Sequence, residues 1–240
     1  MQKIVLILCL MMIKNVVGDF HCNQSVYKQP HLATRHSIVQ RSVSDYWTHQ
    51  IPISSSLPDR KQMLIEISKG LSVLHVGCVD WPILDPNNNL HMSLSKTTRS
   101  LDCLDADIDG LNEIKKLFPS GNVYCDRSSI PRHHHYDLVL IPEVIEHVPN
   151  IELFITDMAS LNFNTMIITA PVPNPTNFQL KGDQFFEIVH PDHKTWFSPY
   201  TLVNIIEQYT DLNVEKVFYW PHQMSCAVQI KKRLLKDKKY

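Results

Sequence analysis

The sequence predicts an α/β protein, a doubly wound, mostly parallel seven-stranded sheet closed by a C-terminal antiparallel hairpin. Three observations predict it. Short apolar runs recur from residue 71 onward, most of them separated by segments long enough for a helix. Strands spaced by helices pair in parallel through right-handed crossovers. The last two runs have only a turn at Pro221-His222 between them, too little chain for a crossover, so they pair antiparallel.

Residues 71–76 form a continuous apolar run, the mark of a strand buried on both faces. Further strands are expected at 101–106, 122–125, 136–141 and 165–169, and the hairpin at 213–220 and 224–230. Helices are expected at 90–98, 110–118, 150–160 and 199–209. Ahead of the first strand, Asp59 can cap a helix running to about Ser68. Its apolar face carries Met63, Leu64 and Ile67, and Gly70 stands just past its end. Residues 19–58 show no sustained period and read as an irregular arm with a short helix through 36–47. The catalytic domain is expected at 59–231, and residues 232–240 form a basic tail.

A chain of 240 residues can build one sizeable core. Its 44% apolar and 20% charged residues exclude wholesale disorder. A net charge of −1 and a pI near 6.9 argue against a nucleic-acid partner held by bulk positive charge. The six cysteines form no CxxC pair, and Cys103, Cys125 and Cys226 lie in strand-like runs, where cysteine is a small buried hydrophobe. Neither a disulfide framework nor a zinc site is expected, and the chain reads as reduced and cytoplasmic. Against this stands Lys3, followed by the apolar run 4–13 and the small residue Gly18. That pattern fits a signal segment or anchor over residues 1–18, which would make the protein exported or membrane-associated.

In open α/β sheets, ligands bind beyond the carboxyl ends of the strands. His75-Val-Gly77-Cys78-Val-Asp80 follows the first strand, and Asp105-Ala-Asp107-Ile108-Asp109 the second. Asp107 can accept hydrogen bonds from both hydroxyls of a ribose, and Asp109 is read as the cap of the next helix. Asp126, after the third strand, can meet an adenine amine. Glu143, Glu146 and His147 follow the fourth strand at spacing i, i+3, i+4, so on a helix they share one face. With His193 they could hold a divalent cation, and such an oxygen-rich set suits magnesium. Otherwise Glu146, His147 and His193 are the candidates for acid–base catalysis. His133-His134-His135 cannot converge on one ion from a regular element and reads as a solvated loop. Pro171, Pro173 and Pro175 stiffen the stretch after the fifth strand. Phe178, Phe185, Phe186, Trp196 and Tyr200 beyond them either face substrate or plug the sheet edge.

Four segments carry a family resemblance: Val73-Leu-His-Val-Gly-Cys78, Leu104-Asp-Ala-Asp-Ile-Asp109, Tyr136 to His147 with its Glu-Val-Ile-Glu-His core, and His190-Pro-Asp-His193 with the Trp196 to Leu202 stretch. Over residues 71–230 the chain resembles the class I S-adenosylmethionine-dependent methyltransferases. The resemblance implies a Rossmann-like methyltransferase fold with S-adenosylmethionine held by His75, Gly77, Cys78, Asp107, Ile108, Asp126 and Glu143. It implies methyl transfer, read here as O-methylation of a small-molecule or glycan-like acceptor. A similar Glu-x-x-Glu-His plus distal histidine set binds magnesium in small-RNA 3′-end 2′-O-methyltransferases, so a metal-assisted RNA enzyme is the alternative. The chain departs from the family in its glycine loop, where Val79 and Trp81 stand at two usual glycine positions and only Gly77 remains. A degenerate member kept as a scaffold would show this departure.

Overall fold

The computed structural model describes residues 39–43, 46–50, 58–80, 83 and 89–232. Strands β1 (Val39–Val43) and β2 (Tyr46–Gln50) form an antiparallel hairpin, so the short helix expected at 36–47 is absent from its described residues. The β-branched and aromatic residues of Val39–Val43 and Tyr46–Gln50 favour the strand. The apolar run 4–13, the basic tail beyond Lys232 and Trp81 lie outside the described residues.

The main sheet has seven strands: β3 (Ser72–Val76), β4 (Ser100–Leu104), β5 (Val123–Tyr124), β6 (His135–Pro142), β7 (Asn162–Pro171), β10 (Leu212–Trp220) and β11 (Ser225–Lys232). Their order is β10-β11-β7-β6-β3-β4-β5. The first five in sequence pair in parallel, while β11 pairs antiparallel with both β7 and β10. The chain leaves β3 towards β4 and β5, then returns to lay β6 on the other side of β3. The switch point therefore lies between β3 and β6, and it faces the carboxyl ends of both.

The helices expected from Asp59 onward form, the second of them shorter than expected: α1 (Arg60–Ser68), α2 (Leu90–Leu94), α3 (Ile108–Leu117), α4 (Ile151–Ala159) and α5 (Pro199–Tyr209). Asp59 caps α1 by accepting from Gln62 N at 2.9 Å, as its sequence position predicts. Alternation along the strands splits the core between two faces. Leu74, Val76, Val139 and Ile141 pack on Ile155 and Met158 of α4 and on Leu202 and Ile206 of α5. Val73, Leu101, Leu138 and Leu140 turn the other way, onto Met63 and Leu64 of α1 and Leu94 of α2. Leu111 and Ile114 of α3 pack with Cys78 and Cys103.

Two expectations are corrected. Cys78 and Cys103 form a disulfide, with Cα atoms 5.8 Å apart, so these cysteines are not the reduced, unpaired residues that their wide spacing suggests. Parallel pairing of β3 with β4 sets Cys103 opposite His75, and the chain just past β3 folds back over it. Sequence spacing carries no trace of that proximity. The proline-rich stretch is also not all loop: β7 runs on through Pro171 and Pro175–Asn177 form a 3₁₀ turn, and beyond them Phe178–Lys181 (β8) and Gln184–Glu187 (β9) pair as a small antiparallel hairpin outside the main sheet. Among the described residues no helix is long and apolar enough to cross a membrane.

Candidate functional site

A cleft of about 490 Å³ opens over the carboxyl ends of β3, β4 and β6. Arg60, Lys61 and Leu64 of α1 form one wall. His75, Gly77, Val79 and Asp80 form the floor and loop, Asp105 follows β4, and Pro142, Glu143, Val144 and His147 close the far side. The volume falls within the usual range of roughly 300–1,000 Å³ for small-molecule sites.

Gly77 turns the chain out of β3 with φ +70°, the left-handed region where a side chain is strained. A β-carbon there would also collide with Val144. Gly77 N donates to Leu104 O at 2.8 Å, which fixes the loop to β4, and the Cys78–Cys103 disulfide fixes it a second time. Cys78 is fully buried, so it braces the loop from beneath rather than facing the cleft.

The acidic residues after β4 differ from the sequence expectation in which of them caps the next helix. Asp105 lines the cleft, accepts from Val79 N at 2.9 Å and from Asp107 N at 3.0 Å, and so organises both loops. Asp107 accepts from Gly110 N at 3.0 Å and caps α3, the task assigned to Asp109, which instead lies in the first turn. The difference follows from where β4 ends. The strand stops at Leu104, so Asp105 takes the first position beyond it and Asp107 the position before the helix. Ile108 is exposed on the first turn of α3. Asp126 caps a short 3₁₀ turn, accepting from Ser128 N at 2.6 Å. It lines a separate cavity with Arg127, Arg132 and Asp157, and it is not among the residues that line the cleft over β3.

His75 lies at the cleft floor and is buried against His91, Nδ1 to Nδ1 at 3.2 Å. Burial, then the neighbouring His91, holds its pKa well below the usual imidazole value. Burial brings His91 down to about 4. Both rings are therefore neutral near pH 7.

Residues 143–147 form a turn rather than a helix, with Glu143 at φ +54°. The expected shared face is therefore lost. The Glu143 carboxylate accepts from Thr169 Oγ1 at 2.7 Å and Ser225 Oγ at 3.0 Å, and it pairs with Arg60. Glu146 is buried, and burial, reinforced by the charge of Glu143, pushes its pKa up to about 8. Its Oε2 has no hydrogen-bond partner among the described residues. His147 borders the cleft with the His193 ring against it, centroids 4.8 Å apart. His193 is held below the usual imidazole pKa by burial, then by His147 and His190.

Of the four residues expected around a cation, His147 and His193 meet, but Glu143 and Glu146 do not complete one donor cluster with them. Among the described residues, the one group of three or more histidine, cysteine or acidic side chains with donor atoms within 4.8 Å of one another is His147, His190 and His193. His190 was missed by sequence reasoning, although the His-Pro-Asp-His spacing would have flagged it. The run His133-His134-His135 does not converge: His134 lies against Tyr136, and His135 reaches Asn162.

No family model matches the sequence, and no curated protein matches it. Solved structures do. A protein from Sulfolobus solfataricus described as a type 11 methyltransferase aligns with TM-score 0.54 and 18% identity, over 77% of this chain and 98% of that one. The N-methyltransferase NodS from Bradyrhizobium japonicum aligns with TM-score 0.51 and 11% identity, over 73% and 96%. A chain of the Pnkp1/Rnl/Hen1 RNA repair complex aligns with TM-score 0.51 and 16% identity over 72% of this chain, which spans 40% of that larger one. The likeness establishes the fold, a Rossmann-like α/β sheet of the class I methyltransferase type.

Proposed function

We propose that the chain is an S-adenosylmethionine-dependent methyltransferase acting on an oxygen of a small-molecule or glycan-like acceptor. One observation carries the reading: the cleft stands at the switch point of a methyltransferase-type sheet, over a loop that only Gly77 can turn. When bound, S-adenosylmethionine supplies an electrophilic methyl group on a sulfonium. The residues present suit such a ligand. Gly77 lets the loop turn beneath the cleft with Val144 packed against its backbone, and Asp80 and Asp105 offer carboxylates to the ligand's polar groups. Glu143 is fixed at the far wall of the cleft by Thr169, Ser225 and Arg60, a preorganised acceptor opposite Asp105.

Methyl transfer depends mostly on alignment, so the protein's main tasks are to orient the acceptor and exclude water. An acceptor hydroxyl must also lose its proton, and His147, at the cleft margin, is the side chain that can take it. His193 packs on His147 and positions it. Glu146 is too buried to meet an acceptor and serves beneath His147, its Oε1 3.9 Å from His147 Nε2. The net charge of −1 argues against an RNA acceptor.

Titration calorimetry with S-adenosylmethionine and S-adenosylhomocysteine tests the reading. One site per chain for each ligand supports it. A folded chain that binds neither is a scaffold with a methyltransferase-like fold.

A further inference from the structure

We propose that His147, His190 and His193 form a binding site for a divalent d-block ion of zinc type, a donor set different from a carboxylate magnesium site.

The local chain builds the cluster. Pro191 pre-sets the backbone at the second position of a turn, which His193 N closes by donating to His190 O at 3.1 Å. The turn places both histidines at its ends, and the 143–147 turn after β6 carries His147 up to them. Trp196 sets its ring edge-on to His193 at 5.8 Å and is itself tied to β9, its Nε1 donating to Glu187 at 2.8 Å. His193 is thereby held from behind.

Two features point to an ion. The three donor atoms lie within 4.8 Å of one another, and ligands on one tetrahedral zinc stand about 3.4 Å apart, given bonds of about 2.0–2.1 Å. His190, on an exposed side chain in an irregular segment, can close that gap by rotation. Independently, His193 Nδ1 is buried without a hydrogen-bond partner among the described residues. Buried polar atoms are nearly always satisfied, so an orphaned imidazole nitrogen inside a histidine cluster marks a place for a ligand. Asp192 N occupies Nδ1 of His190 at 3.3 Å, which leaves Nε2 as its donor.

The chemistry selects the ion. Three imidazoles without a carboxylate favour zinc, cobalt, nickel or copper over magnesium. Three protein ligands also leave the fourth position open, as in catalytic rather than structural zinc sites. His147 borders the cleft, so an ion here would take over activation of an acceptor hydroxyl from a free imidazole base.

The test uses the full-length, untagged chain stripped of metal and titrated with cobalt(II). One equivalent should bind with the visible absorption of tetrahedral cobalt, and zinc should displace it. His190→Asn and His193→Asn should each weaken binding at least tenfold. Glu143→Gln and the double variant His133→Asn/His135→Asn should leave it unchanged. If His193→Asn fails to fold, His190→Asn decides, because that side chain is exposed. The proposal falls if the native chain binds no stoichiometric cobalt, if magnesium competes on equal terms, or if Glu143→Gln or the histidine-run variant removes binding while His190→Asn does not.

Discussion

The side chain of Val79 fills the space that a β-carbon on Gly110 would need. Both Val79 methyl groups would overlap such an atom, and Asp107 Oδ2 would stand 3.0 Å from it. Val79 occupies a loop position where the resemblance drawn from the sequence leads one to expect glycine, and here the missing side chain lies in the facing helix. The small residue has changed sides of the contact, so the loop keeps close packing against α3 without its own glycine.

Gly110→Ala should therefore destabilise the protein by about 1–3 kcal/mol, as overpacking does, although alanine is the better helix former by about 1 kcal/mol. Val79→Gly in the same chain should recover most of that loss. A double-mutant cycle of denaturation free energies checks it, and additive effects would remove the coupling.

Gly77→Ala should impair both the fold and the cleft, because its φ of +70° and the Val144 side chain both oppose a β-carbon. Strain at such a position costs on the order of 1–3 kcal/mol. Adding Val144→Ala removes the collision but not the backbone strain, so only partial recovery of melting temperature and cofactor affinity is expected.

Asp105 and Asp107 should separate in their effects. Asp105→Ala removes a cleft carboxylate and two loop hydrogen bonds, and cofactor affinity should drop at least roughly tenfold, since a lost charged hydrogen-bond partner costs about 1.5–3 kcal/mol. Asp107→Ala removes a helix cap and should cost about 1 kcal/mol of stability with a smaller effect on affinity. Calorimetry alongside thermal melts distinguishes them, and the reverse ranking would support the ribose role expected of Asp107.

Acid should destabilise the protein through His75 and His91. Both are lowered in the folded state, His91 to about 4, so the unfolded chain binds protons first as pH falls below about 6.5. Their contribution is intact above that value and is lost between about pH 6.5 and 4, on the order of 3 kcal/mol for His91. The double variant His75→Leu/His91→Leu should flatten the melting temperature across this window, and an unchanged slope would clear the pair.

Reduction should loosen the cofactor loop. The Cys78–Cys103 bond closes a loop of sequence separation 25. Removing such a link costs about 3 kcal/mol by chain entropy. Cys78→Ser/Cys103→Ser should lower the melting temperature under oxidising conditions, and reductant should then have no further effect.

Sequence alone determined the main sheet, because each of its strands is a local apolar run and the segments between the parallel strands are long enough for crossovers. Asp59, the run into Val76 and the Ser198-Pro199 start of α5 are legible one segment at a time. The ends of the strands also located the cleft, and His75, Gly77 and Glu143 line it as expected. Only the tertiary structure decided which groups meet there. The positive φ of Glu143 breaks the helical spacing and sends its carboxylate to Thr169 and Ser225, which are 26 and 82 residues away in sequence. The Cys78–Cys103 bond, the Val79–Gly110 exchange and the gathering of His147 with His190 and His193 depend on distances between separate elements. Periodicity records which face of an element is apolar, whereas side-chain convergence depends on the packing of several elements at once.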